Sequence, residues 1–306
     1  MLRYTIKRLL QIIPVLFVVS VLVFLMVHMI PGDPVVNMLG MDAGVEAVEA
    51  MRETLGFNDP LPQQYGRFIS GAVQGDMGVS IFTRKPVTEE LIARLIVTFK
   101  LALGGIAVAT IVGVLFGVIA AVKQNKFTDN LIMVLSLLCV STPSFFLALL
   151  FLLLFTLTLG WLPSMGVSTP LHYILPSLTL GMSAVGLIAR TTRSAMLDVL
   201  HQDYIRTSRS RGIPERVVIL AHAFKNALIP VITAIGLRFG GLLAGAALIE
   251  TVFSIPGIGS FLITGVLNRD YPVVQGSVLL MAVIFVVVNL IVDLVYALVD
   301  PRVKYE

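Results

Sequence analysis

Six times along this chain, apolar residues continue for about the twenty positions that a helix needs to cross a bilayer. The runs cover roughly 9–30, 99–122, 131–159, 172–190, 228–250 and 276–298. In hydrocarbon each backbone N–H and C=O must find its partner inside the protein, so apolar runs of this length fold as helices. Composition agrees, with 57% hydrophobic and 13% charged residues, against about 45–50% and 25% in soluble chains. The expected fold class is an all-α membrane protein with six transmembrane helices. The first run is too long for the core of a signal peptide and no small-residue cleavage site follows it, so it reads as a retained anchor. Pro143 is expected to kink the third run. Gly181 and Gly186 interrupt the fourth, where small residues permit close helix contact.

The basic residues sort to one side. Arg3, Lys7 and Arg8 precede the first run, and Lys123 and Lys126 follow the second. Arg190, Arg193, Arg206, Arg209, Arg211, Arg216 and Lys225 cluster around 191–227, and Arg302 and Lys304 end the chain. The alternate short connections, 160–171 and 251–275, hold only Arg269. Lys and Arg mark cytoplasmic loops, so both termini are expected to be cytoplasmic. The formal net charge of +4 is thus topological and implies no nucleic-acid partner. Four regions follow: 1–30, a tail and first span; 31–98, extracytoplasmic; 99–298, a five-helix core with the cytoplasmic loop 191–227; and 299–306, a cytoplasmic tail.

The single cysteine, Cys139, excludes a disulfide framework. His28, His172, His201 and His222 fall at different depths without metal-ligand spacing. No Gly-x4-Gly-Lys-Ser/Thr loop is present, so ATP hydrolysis by this chain is not expected. The spans hold no His-Glu-x-x-His, paired aspartates or serine–histidine arrangement, which argues against an intramembrane enzyme. An ion-driven secondary transporter remains as the alternative, although inverted repeats and acidic residues at mid-membrane are not found.

The longest cytoplasmic loop carries the most specific signal. Two short helices are expected there, one from about Asp198 to Arg211 that Gly212 stops, and another opened by Pro214 and Glu215. The string Asp203-Tyr204-Ile205-Arg206-Thr207-Ser208, three further residues and Gly212 resembles the ATPase-coupling loop of ATP-binding-cassette importer permeases, in the peptide/nickel branch. Arg206-Thr207-Ser208 stands where the general pattern has Glu-Ala-Ala, and Asn226-Ala227-Leu228-Ile229-Pro230 resembles the ending of this branch. His28-Met29-Ile30-Pro31-Gly32-Asp33-Pro34, Gly75-Asp76-Met77-Gly78-Val79-Ser80, Glu250 to Gly259, Arg269-Asp270-Tyr271-Pro272 and Asp300-Pro301-Arg302 are similar to further segments of its B-type permease, in the same order.

The resemblance implies a type I importer permease fold in the inner or plasma membrane of a prokaryote, forming half of a translocation pathway. It implies a second homologous permease, two separate ATPase subunits that bind ATP and Mg, and an extracytoplasmic substrate-binding protein. This chain itself would hold no cofactor. Substrates of the branch are di- and oligopeptides, with glutathione or nickel complexes as alternatives. Asp203 to Arg209 and Gly212 would contact the ATPase, with Tyr204, Arg206 and Arg209 as side chains suited to carry an interface. Arg238, at mid-depth, would cost about 2.5–3.5 kcal/mol against lipid and should face protein or water. It is a candidate for the pathway or for pairing with the second permease, as Ser141, Pro143, Pro256 and Gly257 are for the pathway or a gate. Pro31, Gly32 and Asp33 are expected to end the first span, and Asp293 to serve a structural hydrogen bond.

Overall fold

The computed structural model describes residues 2–40 and 42–299, with side chains over 10–40 and 42–294. The expectations resting on the side chains of Arg3, Lys7 and Arg8, and on the tail with Arg302 and Lys304, lie outside the described residues. In order come α1 (Leu2–Met29), α2 (Pro34–Leu39), α3 (Val45–Leu55), α4 (Leu61–Val73), α5 (Val87–Val122), α6 (Phe127–Ser141) and α7 (Ser144–Phe151). They continue with α8 (Ile174–Leu200), α9 (Asp203–Ser210), α10 (Glu215–Val217), α11 (Lys225–Val252), α12 (Ile258–Asn268) and α13 (Tyr271–Val299). Wide π-type turns prolong α7 over Leu152–Thr158 and join α10 to α11 over Val218–Phe224.

Among the described residues, five helical segments are long and apolar enough to span, and α6 with α7 makes a sixth when the pair is counted as one broken span. That pair corrects the expected kink, because its two halves meet at 102°. Pro143 pushes the residue before it out of the helical region, and Thr142 is extended at ψ 126°. The Thr142 amide still donates to the Leu138 carbonyl, closing α6, while Pro143 becomes the N-cap of α7.

The chain divides into two compact units, one of residues 99–255 with 287 onward and one of 2–98 with 256–286. In the first, α8 packs against α6, α7 and α11. Its glycines mark the closest approaches, as the sequence led one to expect. A Cβ on Gly181 would lie 2.5 Å from the Gly105 carbonyl oxygen, and one on Gly186 would lie 2.2 Å from the Ser136 oxygen. In lipid no hydrophobic force drives helices together, so close van der Waals approach through small residues must do so.

At the other end of this contact, Arg193 grips Asp129 with two bonds of 2.7 Å. Asp129 is buried and also accepts the Asn125 amide at 2.9 Å. The sequence had placed Arg193 in a loop. It lies instead within α8, which runs ten residues past the expected end at 190, because Thr191 to Leu200 contain no breaker.

In the second unit, 31–98 gains a core that its own residues lack. Met38, Phe57, Phe68 and Ile81 pack on Val23 and Val27 of α1 and on Tyr271 and Val274 of α13. The turn expected at Ile255 to Gly259 leads into α12, an apolar helix the sequence reading did not identify, with Gly257 at its N-cap. Ile258 and Phe261 of α12 pack on Val87, Leu91 and Val273.

Gly186→Ala should lower the melting temperature of the detergent-solubilised chain, since the new methyl group meets backbone. Gly241→Ala, where a Cβ meets nothing within 4 Å, should leave it unchanged or raise it. Thermal aggregation followed by size-exclusion chromatography reads both.

Candidate coupling site

The connection between α8 and α11 folds as a small helical knob. α8 ends at Leu200, two residues later than the expected helix was to begin, and a turn at His201 and Gln202 separates it from α9. Asp203 opens α9 where a negative charge suits the helix N-terminus. Its apolar anchor is Ile205, fully buried against Met196 of α8 and against Val218, Ala223, Ala227 and Val231. Ile205 therefore holds the knob to the span, and its side chain is not part of the exposed surface.

Tyr204 is the second fastening. Its hydroxyl accepts a bond of 2.8 Å from the Asn226 amide nitrogen, which ties the first sequence motif of the loop to the Asn226–Pro230 motif at the start of α11. The rest of the ring stays exposed. Gly212 follows α9 at φ +72°, a left-handed conformation open to glycine at little steric cost. Its amide donates to the Arg209 carbonyl at 3.0 Å, so the chain reverses within one turn toward Pro214 and α10.

Across this reversal the Arg209 guanidinium bonds Glu215 at 2.8 Å. That carboxylate holds Arg209 more firmly protonated than a free arginine. The two arginines singled out in the sequence thus differ. Arg209 is tied to Glu215 at the surface of the knob, with its side chain 42% exposed, whereas the Arg206 side chain is 73% exposed and comes only within 3.9 Å of Asp203. Asp203, Thr207 and Arg211 are also exposed and Ser208 is half-buried.

The remaining candidates lie apart from the knob in sequence. Arg238 sits in α11, is exposed, and makes no hydrogen bond or ion pair among the described residues. Ser141 and Pro143 are exposed at the α6–α7 break. Asp293 is half-buried in α13.

In the second unit, Pro256 is exposed and Gly257 buried. Pro31, Gly32 and Asp33 end α1 as expected, and more is built there than a stop. Asp33 caps α2 by accepting the Val35 amide at 2.8 Å, and it pairs with Arg52. Gly32 adopts φ +110° under the Arg269 guanidinium, where a Cβ would lie 2.5 Å from its central carbon. Arg269 itself donates to the Pro31 carbonyl at 3.0 Å.

Beside it, the buried Asp270 carboxylate accepts from the Ser80 hydroxyl and from the Ile81 and Phe82 amides. Three motifs that lie far apart in sequence are thereby bonded together. Neither Asp270 nor Asp129 was identified as a structural anchor from the sequence. The signal for Asp129 was its lone acid standing beside an apolar run.

Apolar spans around α8, with a short helix pinned beneath one end of them, are the build of a polytopic membrane permease. The profile of the binding-protein-dependent transport system inner membrane component family matches residues 113–305, and the N-terminal profile of such membrane components matches residues 1–102. The chain belongs to this family, the inner-membrane permease subunits of ATP-binding-cassette importers.

The glutathione transport system permease proteins GsiC of Escherichia coli K12 and of E. coli O6:H1 strain CFT073 are each 46% identical to it over 306 residues, the whole of both chains. GsiC of Pectobacterium atrosepticum is 45% identical over the same length. Among solved structures, the inward-facing MetNI methionine ABC transporter aligns with a TM-score of 0.59 at 17% identity, over 69% of this chain and 96% of that one. An amino acid ABC transporter determined with histidines gives 0.51 at 17%, over 70% and 94%. At that identity the likeness is one of fold alone.

Ile205→Ala should loosen the knob without unfolding the spans, since truncating a buried isoleucine costs about 2–5 kcal/mol. Hydrogen exchange of the Asp203–Ser210 amides is expected to quicken markedly while that of α8 stays slow. Equal exchange in both proteins would refute the anchoring role.

Proposed function

We propose that this chain forms half of the translocation pathway of an importer for small peptides, with glutathione the first substrate to test. The whole-length identity to the GsiC proteins supports glutathione within that class. The observation that carries the mechanism is α9, a helix pinned by one buried residue with Tyr204, Arg206 and Thr207 turned outward. Such a helix suits a cleft on a separate ATPase subunit, because a short, anchored element transmits displacement where a loose loop would absorb it. Aromatic and arginine side chains commonly carry interface energy, and among these residues Arg206 is the exposed cation.

In this reading 191–227 and both termini face the cytoplasm, in keeping with the bias of Lys and Arg. Two ATPase subunits bind ATP and Mg, and their closure draws the α9 helices of two homologous permeases together. The pathway then opens outward to receive substrate from an extracytoplasmic binding protein, and hydrolysis returns it inward. Asp203 to Arg209 form the seated surface, with the buried Ile205 and the Arg209–Glu215 pair holding its shape, and Gly212 sets the angle at which the knob leaves α9. Arg238, unpartnered among the described residues, is assigned to a pairing with the second permease. Ser141 and Pro143 at the broken span, and Pro256 and Gly257 before α12, are assigned to the pathway and its gate.

Affinity purification of the tagged chain from its native membrane should recover a second permease and ATPase chains. A chain recovered alone that still transports without ATP would establish an ion-driven carrier instead. In the reconstituted complex, Gly212→Val should abolish glutathione uptake while ATP hydrolysis persists and the spans remain inserted. Arg206→Glu should weaken ATPase association by about tenfold, the scale of one lost charge-assisted contact.

A further inference from the structure

We propose that the cavity at the N-terminal end of α8 binds the C-terminal carboxylate of the imported peptide; the proposal rests on the small-peptide reading above. The cavity holds about 470 Å³, within the range of small-molecule sites. It lies wholly inside the first unit. Its polar lining comes from Lys100 of α5, from Ser168 and Thr169 in the connection after α7, and from Tyr173 and Ser177.

Two helical pairs build it. Lys100 and Gly104 are one turn apart on α5, and Tyr173 and Ser177 one turn apart entering α8, so each pair shares a face. Gly104 permits the approach between them, since a Cβ there would sit 2.3 Å from the Ser177 hydroxyl oxygen. The Ser177 hydroxyl therefore lies directly against α5, at a position one helical turn from Lys100 along that helix.

The chemistry is one-sided. No carboxylate lines the cavity, and Lys100 has no ion-pair partner among the described residues. Ser177 is 7% exposed, yet its hydroxyl makes no hydrogen bond among the described residues. The hydroxyl opens on the cavity, so a ligand that accepts can take its proton in a hydrogen bond in place of water. Tyr173 offers a hydroxyl without a partner among the described residues, while that of Thr169 is committed to His172 at 2.8 Å. One ammonium with two free hydroxyls and no competing acid suits a single small anion. A peptide ammonium finds no acceptor charge here, so the peptide would enter by its carboxylate. By chain order the cavity is at the end of α8 opposite the Arg-rich knob, the side from which an importer takes its substrate. A phospholipid phosphate offers similar acceptor oxygens, and the experiment separates the two.

The complete transporter, with both permeases, the ATPases and the binding protein, is reconstituted in vesicles of phosphatidylethanolamine and phosphatidylglycerol. Uptake kcat/KM is measured for glutathione and for the same tripeptide amidated at its glycine carboxylate. The wild-type preference for acid over amide includes whatever the binding protein contributes, so the readout is how far this preference changes in each variant. Lys100→Gln should reduce the preference about tenfold, as expected for loss of a charge-assisted bond. Lys100→Arg should keep it, and Ser177→Ala should reduce it by a smaller factor.

An unchanged preference in Lys100→Gln, or acid and amide uptake falling together, would overturn the site. So would native mass spectrometry showing that Lys100→Gln loses bound phosphatidylglycerol while the preference stands, which would assign the cavity to lipid. A wild-type complex that imports no small peptide at all would instead sink the proposed function, and the ligand of this cavity with it.

Discussion

Close backbone contact around α8 is the constraint on which the membrane core rests. Between lipid-embedded helices the solvent offers no hydrophobic drive, so cohesion depends on how near the backbones come. Gly181 against the Gly105 carbonyl and Gly186 against the Ser136 carbonyl set that distance. Toward the end of α8 that leads into the knob, the buried Asp129 and the half-buried Arg193 pin α6 to α8. Removing Arg193 would leave the buried Asp129 carboxylate without its charge partner, which is destabilising, so this ion pair keeps the end of α8 in place where the knob begins.

The knob inherits its stiffness from that core. Ile205 packs on residues of α8 and of the π-type turn and α11 that follow, while the Asn226–Tyr204 bond and the Arg209–Glu215 pair close the polar side. An eight-residue helix would be marginal alone. Anchored at three points it becomes a rigid extension of two spans. The same anchoring separates side chains that look equivalent in sequence, because Arg209 is paired with Glu215 within the knob while the Arg206 side chain is mostly exposed.

The second unit applies a comparable principle with polar bonds. Asp270 collects the Ser80 hydroxyl and two backbone amides, and Arg269 covers Gly32 and holds the Pro31 carbonyl. Buried backbone amides need partners, and a single carboxylate at the start of α13 supplies them to a loop that has little regular structure of its own. Residues 31–98 thus fold as an ordered segment by sharing the core of α1, α12 and α13.

Much of this protein is written locally. Apolar length marks the spans, Lys and Arg distribution sets the expected sidedness, and Gly212, Pro143 and the Pro31–Asp33 stop act through dihedral limits that concern only their neighbours. Gly181 and Gly186 could be read as contact points because small size is a property of the residue itself. What each of these contacts could not be read from was spacing along the chain. Asp129 meets Arg193 across 64 positions and Asp270 meets Ser80 across 190, and no periodicity links them. The same holds for the 102° break, which needs the packing of α7 as well as Pro143, and for the division of labour between Arg206 and Arg209. It holds too for the cavity under Lys100, which exists only where Gly104 lets two helices touch. Sequence by itself determined which segments enter the membrane, since transfer into lipid is a sum over neighbouring residues. Tertiary structure decided which side chains meet, since that depends on how separate helices pack.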